Sequence, residues 1–216
     1  MSLLVTVVVN DAIIMASDSR TTYPDAYGNV TYSDHANKTY LMDGRIGIST
    51  CRNATVNNEV IEIHLKRFEI LYKTCTLSRI PRLLQEYFLQ LNPSCDIGFL
   101  ISGYENGFPH VYRVFTQGGI EKCPTPSPVS YWEGERDVPS RLFSTIYIRQ
   151  GYNYVPHGEY QLRINEFSIL EGIEYAKFII NTAKGVMKFQ RTNQTIGGAI
   201  DVLVLKPNES FWYEKK

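Results

Sequence analysis

The sequence carries no excess of charge of either sign: 22 Lys+Arg stand against 22 Asp+Glu. A basic stripe is what draws a protein onto nucleic acid or anionic lipid, so no nucleic-acid or membrane partner is expected. The four cysteines, Cys51, Cys75, Cys95 and Cys123, include no CxxC pair. Both the disulfide-framework and the metal-site readings therefore lack their usual signature, and reduced thiols are the default. The four histidines, His35, His64, His110 and His157, show no HxxxH or HExxH spacing, so neither a metal nor another cofactor is expected. No run approaches the roughly twenty apolar residues that span a bilayer. The opening MSLLVTVVV has no basic n-region and no small-residue cleavage site, and it runs straight into Asn10-Asp11; it reads as a strand and not as a signal peptide. N-x-S/T matches beginning at Asn29, Asn37, Asn53, Asn193 and Asn208 carry little weight without a secretory context, and a cytoplasmic location is expected.

What the sequence does have is a 44% hydrophobic content over 216 residues, enough to build the core of one domain spanning 1–216. Leu3 to Val9 is apolar and β-branched, Asn10-Asp11 is a tight turn, and Ala12 to Ser17 is apolar again, which together predict a hairpin. Thr21 to Asn37, rich in Tyr, Asp, Asn, Pro and Gly, predicts a long exposed loop or ragged hairpin. Lys38 to Met42, a turn at Asp43-Gly44, and Arg45 to Thr50 predict a second regular hairpin. Apolar residues at helical spacing then predict a long helix over Thr55 to Lys73, capped by Asn53 or Thr55, and a shorter one from Pro81 to Leu91.

The chain returns to strands over Asp96 to Ser102 and Val111 to Phe115, around turns at Glu105-Asn106-Gly107 and Gln117-Gly118-Gly119. Asn165 to Gln190 predicts one broken helix or two consecutive helices around Gly185, and strands Ala199 to Leu205 and Ser210 to Tyr213 close the sequence. The segment 124–160, dense in Pro, Tyr and Gly, predicts a loop or less regular insertion. This order of strands, helices, strands, helices and strands is that of an α+β fold with helices outside mainly antiparallel sheets.

Five stretches, in order, resemble the proteasome β-type subunits of the N-terminal-nucleophile (Ntn) hydrolase family. VVVNDAIIMASDSRTT at Val7 to Thr22 is similar to the opening hairpin, with its A-x-D-x-R-x-T signature on Ala16, Asp18, Arg20 and Thr22 or Thr21. KTYLMDGRIGIST at Lys38 to Thr50 resembles the second hairpin, DIGFLISGYENGFPHVYRV at Asp96 to Val114 the central meander, EGIEYA at Glu171 to Ala176 a helix entry, and TIGGAIDVLVL at Thr195 to Leu205 the last strand entry. The resemblance implies a four-layer αββα sandwich, two mainly antiparallel sheets between helix layers.

The same resemblance implies a chemistry in which the first residue of a processed chain is both nucleophile and base: its side chain attacks an amide carbonyl while its α-amine takes the proton. The register of the opening hairpin puts that position on Ser2, which removal of Met1 would expose. Lys38 matches the lysine that polarises the nucleophile, Asp18 the carboxylate that orients the lysine, and Arg20 the arginine supporting that corner. The family aspartate of the last support motif corresponds to Asn193, the serine of a Gly-Ser-Gly loop to Glu171, and the serine before Gly-Gly to Ile196. Where the family presents a glycine N–H to the oxyanion, this sequence reads Ser49-Thr50-Cys51-Arg52.

Two readings stay open on these residues: a peptidase or small-molecule amidase built on Ser2, and an inactive ring-forming scaffold or binding protein in which Asp18, Arg20 and Lys38 form a buried ion network. Cys51 beside Arg52 is an alternative nucleophile if the arginine depresses its pKa; an inert buried thiol is the plainer reading. The resemblance further implies self-association into a homo-oligomer, in the form of a ring, and a peptide or amide substrate. A regulatory ATPase partner would fit the family, but nothing in the sequence marks where it would dock.

Overall fold

The computed structural model describes residues 2–24, 27, 30–125, 128–157, 162–191 and 193–216. The first hairpin is β1 (Leu3–Val8) and β2 (Ile13–Asp18), both buried along their whole length, which is why these strands read as continuous apolar runs and not as alternating ones. A second, partly exposed hairpin follows in β3 (Thr21–Pro24) and β4 (Val30–Ser33). The third is β5 (Thr39–Met42) and β6 (Ile46–Arg52), turned by Asp43 and Gly44 at φ 51° and 65°. Both central residues are left-handed, as the twist of a tight hairpin demands.

The helix expected from Thr55 begins later. Thr55–Val56 (β7) and Glu59–Val60 (β8) pair as a small hairpin whose turn residues Asn57 and Asn58 sit at φ 49° and 64°. Neither Asn53 nor Thr55 caps; α1 runs from Ile61 to Tyr72 behind Val60, with no side-chain cap. Asparagine tolerates the left-handed region and so nucleates a turn, while Val56 and Val60, spaced for a helix, serve equally as strand residues. A 3₁₀ turn at Leu77–Arg79 leads into α2 (Ile80–Leu91), with Pro81 in its first turn as expected.

The meander comprises β9 (Ile97–Glu105), β10 (Phe108–Phe115) and β11 (Ile120–Cys123), its first turn made by Asn106 and Gly107 at positive φ. Segment 124–160 is more regular than its composition suggests. It holds β12 (Val129–Gly134), α3 (Asp137–Phe143) and the hairpin β13 (Ile146–Gln150) and β14 (Asn153–His157). The stretch VSYWEG is β-prone, and it is ordered because it pairs along the full length of β1, from Leu3 opposite Gly134 to Val8 opposite Val129. The last helix, α4 (Ile169–Met187), is unbroken through Gly185. One interior glycine costs only about 1 kcal/mol against alanine, and burial of Ala183 and Met187 on either side holds the helix straight through it. β15 (Ile200–Leu205) and β16 (Ser210–Glu214) complete the chain.

Among the described residues the strands form two five-stranded antiparallel sheets, ordered β12-β1-β2-β15-β16 and β11-β10-β9-β6-β5, beside the two-stranded hairpins β3-β4, β7-β8 and β13-β14. Side-chain alternation divides the buried residues into three clusters. Leu3, Val5 and Val7 join Ile173, Ala176, Ile179 and Ile180 of α4. Ile97, Phe99 and Ile101 join Phe68 of α1 and Phe88 of α2. Between the sheets, Leu4, Val8, Met15 and Leu203 meet Leu100 and Val111. The sheets approach closely at Gly47, where a Cβ would lie 2.3 Å from Met15 Sδ and 3.2 Å from the methyl ends of Leu203 and Leu205, so any larger residue would have to displace these side chains. No helix among the described residues is long and apolar enough to cross a membrane.

Candidate active site

The opening hairpin delivers Ser2 to the end of β1, where it is 5% exposed. Its carbonyl oxygen accepts a 2.8 Å hydrogen bond from Glu135 N–H, one residue past β12. Between them Gly134 adopts φ +90°, and a Cβ there would stand 1.8 Å from Ser2 O. Glycine is required both by the backbone conformation and by the close approach.

The next amide is held from the other side. Leu3 N–H donates to Asp18 Oδ1 at 3.0 Å, and Lys38 Nζ donates to the same oxygen at 2.8 Å. Asp18 Oδ2 accepts from Arg20 N–H at 3.1 Å and Gly197 N–H at 3.0 Å. The carboxylate is fully buried and accepts from four donors, the compensation a carboxylate removed from water requires. Burial pushes the Lys38 ammonium below the usual lysine pKa, and the Asp18 charge opposes that shift. Beside this pair, hydroxyls of Ser17, Thr39 and Ser49 run in a chain of 2.9 and 2.8 Å contacts between the sheets.

Arg20 uses its backbone for Asp18 and its side chain elsewhere. The guanidinium pairs with both oxygens of Asp34 at 2.7 and 2.8 Å and stacks over Tyr32 at 3.8 Å. Its hydrogen bond to Asp34 holds the arginine above, and the aspartate below, their ordinary pKa values. It also explains Gly197, whose Cβ would fall 2.3 Å from Arg20 Cζ.

Ser2, Arg20, Lys38, Thr50, Cys51 and Arg52 all line one cavity of about 250 Å³, together with the 35–37 loop and Glu62 at the start of α1. Asn193 lies apart from it. It lines a second cavity, of about 610 Å³, with Glu135, Thr195 and Ile196. Glu171 lines neither cavity. It closes a capping box, its carboxylate accepting from Ser168 N–H at 2.8 Å while Ser168 Oγ accepts from Glu171 N–H at 3.3 Å. Glu at the third position after a serine is the signature of a helix start.

Cys51 fails the test of a nucleophile. Burial, aided by the charge of Glu133, pushes its thiol up to about 12, whereas attack requires thiolate. Its neighbour Arg52 is turned away in an ion pair with Asp96 and stacks over Phe115. Arg52 nevertheless holds φ +74°, a left-handed conformation that favours glycine, at the position where the sequence comparison lacked one. Among the described residues no group of three or more His, Cys, Asp or Glu is placed to hold a metal ion.

Reading the sequence alone missed Gly134, Glu135 and Thr195. Thr195 Oγ1 donates to Glu135 Oε1 at 2.8 Å, fastening the strand end that holds Ser2. The available signal was the aromatic, β-prone run before Gly134, hidden by the density of Pro, Tyr and Gly around it.

Among solved structures, the chain superposes on the Gly-1 mutant of Anbu from Hyphomicrobium sp. strain MC1 with a TM-score of 0.69, over 100% of this chain and 86% of that one. The fold is proteasome-like. The likeness is one of fold, at 14% sequence identity. No protein-family model and no curated protein sequence matches the chain. In this proteasome-like fold, Ser2, Asp18 and Lys38 meet at one end of the first hairpin and share a cavity wall or a hydrogen bond, while Asn193 and Glu171 stand elsewhere.

Proposed function

We propose that the chain is an Ntn amide hydrolase in which Ser2, freed by removal of Met1, is the nucleophile. The observation that carries this reading is the junction at Asp18: one carboxylate oxygen holds both the Leu3 amide, next to Ser2, and the Lys38 ammonium, and both Ser2 and Lys38 line an open cavity. In the reaction Ser2 Oγ attacks the amide carbonyl carbon and its proton passes to the α-amine of the same residue. The tetrahedral intermediate then collapses, the C–N bond breaks, and the amine leaves with that proton. Water hydrolyses the resulting ester and regenerates Ser2. An α-amine has a reference pKa of about 7.7–8.0, and a nearby ammonium such as Lys38 favours its free-base form.

Support for oxyanion binding comes from β6. Thr50 N–H donates to Lys38 O, so by strand alternation the Arg52 N–H turns to the same side, beyond the start of β5 and toward the cavity both residues line. A backbone donor placed there is worth several kcal/mol to a developing oxyanion.

The three clusters of buried residues support a four-layer αββα arrangement, and the whole chain is read as one domain. Self-association as a homo-oligomer, and a peptide or small amide as substrate, belong to the same reading. A second reading, a non-catalytic scaffold, is favoured by one observation: Asn193 lines the other cavity and supplies no charge to the Ser2 site.

Intact mass of untagged protein, before and after a β-lactone electrophile that acylates hydroxyl nucleophiles, separates the two. Loss of Met1 and one adduct on Ser2, absent in Ser2→Ala, is the expected result. An uncleaved, unlabelled chain would leave only the scaffold.

A further inference from the structure

Asp201 is a buried carboxylate outside the Ser2 site. It is 1% exposed and sits in β15 opposite Ser17 of β2, on the same side of the strand as Leu203 and Leu205, which pack between the sheets. A charge in that position needs an ionic partner. Lys216 supplies it twice over: its backbone N–H donates to Asp201 Oδ1 at 3.0 Å and its Nζ to Oδ2 at 2.9 Å. The same ammonium makes a third contact, 2.6 Å to the carbonyl oxygen of Ala36.

Ala36 belongs to the wall of the candidate active-site cavity, between His35 and the Asn37-Lys38 pair. Its N–H is bonded to Ser19 O at 3.0 Å. Lys216 thus holds the other backbone group of the same residue, and joins it to a carboxylate rooted between the sheets. The wall residues before Lys38 have no strand pairing of their own, since β4 ends at Ser33 and β5 starts at Thr39.

We infer that Lys216 is a positioning residue for the Ser2 site: bridging Asp201 and Ala36 O, it clamps the 35–37 wall and so sets where Lys38 enters the cavity. The role in reactivity rests on the Ntn hydrolase reading above; the clamp itself does not. A loosened wall displaces Lys38 relative to Ser2, and misplacement by about 1 Å can cost up to about a hundredfold in rate.

The test uses the full chain as wild type, Lys216→Met, and Lys216→Met with Asp201→Asn, the last removing the orphaned charge so that folding is preserved. Amide exchange over residues 34–38 and the rate of β-lactone acylation at Ser2 are measured in each. Both variants are expected to exchange faster at Ala36, with the rest of the sheet unchanged, and to acylate about tenfold or more slowly. Wild-type exchange at Ala36 in the double variant overturns the clamp. Faster exchange with an unchanged acylation rate overturns the positioning role. If wild type itself never acylates, the hydrolase reading falls with the positioning role, and the exchange data alone decide whether the clamp stands.

Discussion

Asp18→Ala tests the central junction most directly. The substitution removes one carboxylate and strands four donors: the N–H groups of Leu3, Arg20 and Gly197, and the Lys38 ammonium, whose side chain is only 6% exposed. Breaking a buried ion pair by deleting one partner costs about 3–5 kcal/mol, because the remaining charge is left uncompensated. Each orphaned N–H adds up to about 1–3 kcal/mol before relaxation and water entry reduce the sum. Taking about 4 kcal/mol as the net, and about 2–4 °C per kcal/mol for a chain of this size, the melting temperature falls by about 8–16 °C.

Lys38→Met behaves differently. It leaves Asp18 with three N–H donors, so its cost is about 1–2 kcal/mol. The double variant is the decisive member: with no ammonium left to strand, Asp18→Ala with Lys38→Met is less destabilised than the two single losses added, by about 1–3 kcal/mol. Calorimetry or urea titration reads all three. An Asp18→Ala protein melting within about 2 °C of wild type, or strict additivity in the cycle, would refute the reasoning.

Two other outcomes follow from the burial of Cys51 and the capping role of Glu171. Cys51, with its thiol pushed up to about 12, holds roughly one thiolate in ten thousand at pH 8, so a disulfide reagent under native conditions labels the less buried Cys75 first; peptide mapping that finds Cys51 labelled ahead of Cys75 would reopen it as a nucleophile. Glu171→Ala removes the capping-box carboxylate of α4 and costs about 1 kcal/mol while leaving Ser2 acylation at the wild-type rate; a loss of acylation without a loss of stability would return Glu171 to the site.

Much of the order of elements was legible because local signals are strong where two of them agree. Asn10-Asp11 between two apolar runs, Asp43-Gly44 and Asn106-Gly107 each sit at the hairpin turns their composition implies. Errors fell where one pattern serves two structures. Val56 and Val60 fit a helix face as well as two short strands, and the choice was made by Asn57 and Asn58. Trp132 and its neighbours looked irregular because only pairing with β1, more than a hundred residues earlier, gives them a place. The meeting of Ser2 with Asp18 and Lys38 was foreseen through resemblance alone; nothing in their spacing says that one carboxylate oxygen would serve both Leu3 and Lys38.

The sequence by itself determined the lack of a charge excess, which is composition alone, and the hairpin turns at Asn10-Asp11, Asp43-Gly44 and Asn106-Gly107, the apolar strands and Pro81 in the first turn of α2, since each of these depends on neighbours within a few residues. Tertiary structure alone decided the rest. Glu135 is a loop residue in the sequence and a clamp on Ser2 in space; Asn193 and Glu171 matched family positions yet lie outside the cavity. Lys216 reaches Ala36 across 180 residues. The physical reason is that a site is assembled by sheet register and by the pairing of buried charges, and both are set by contacts between segments that carry no mark of one another in the chain.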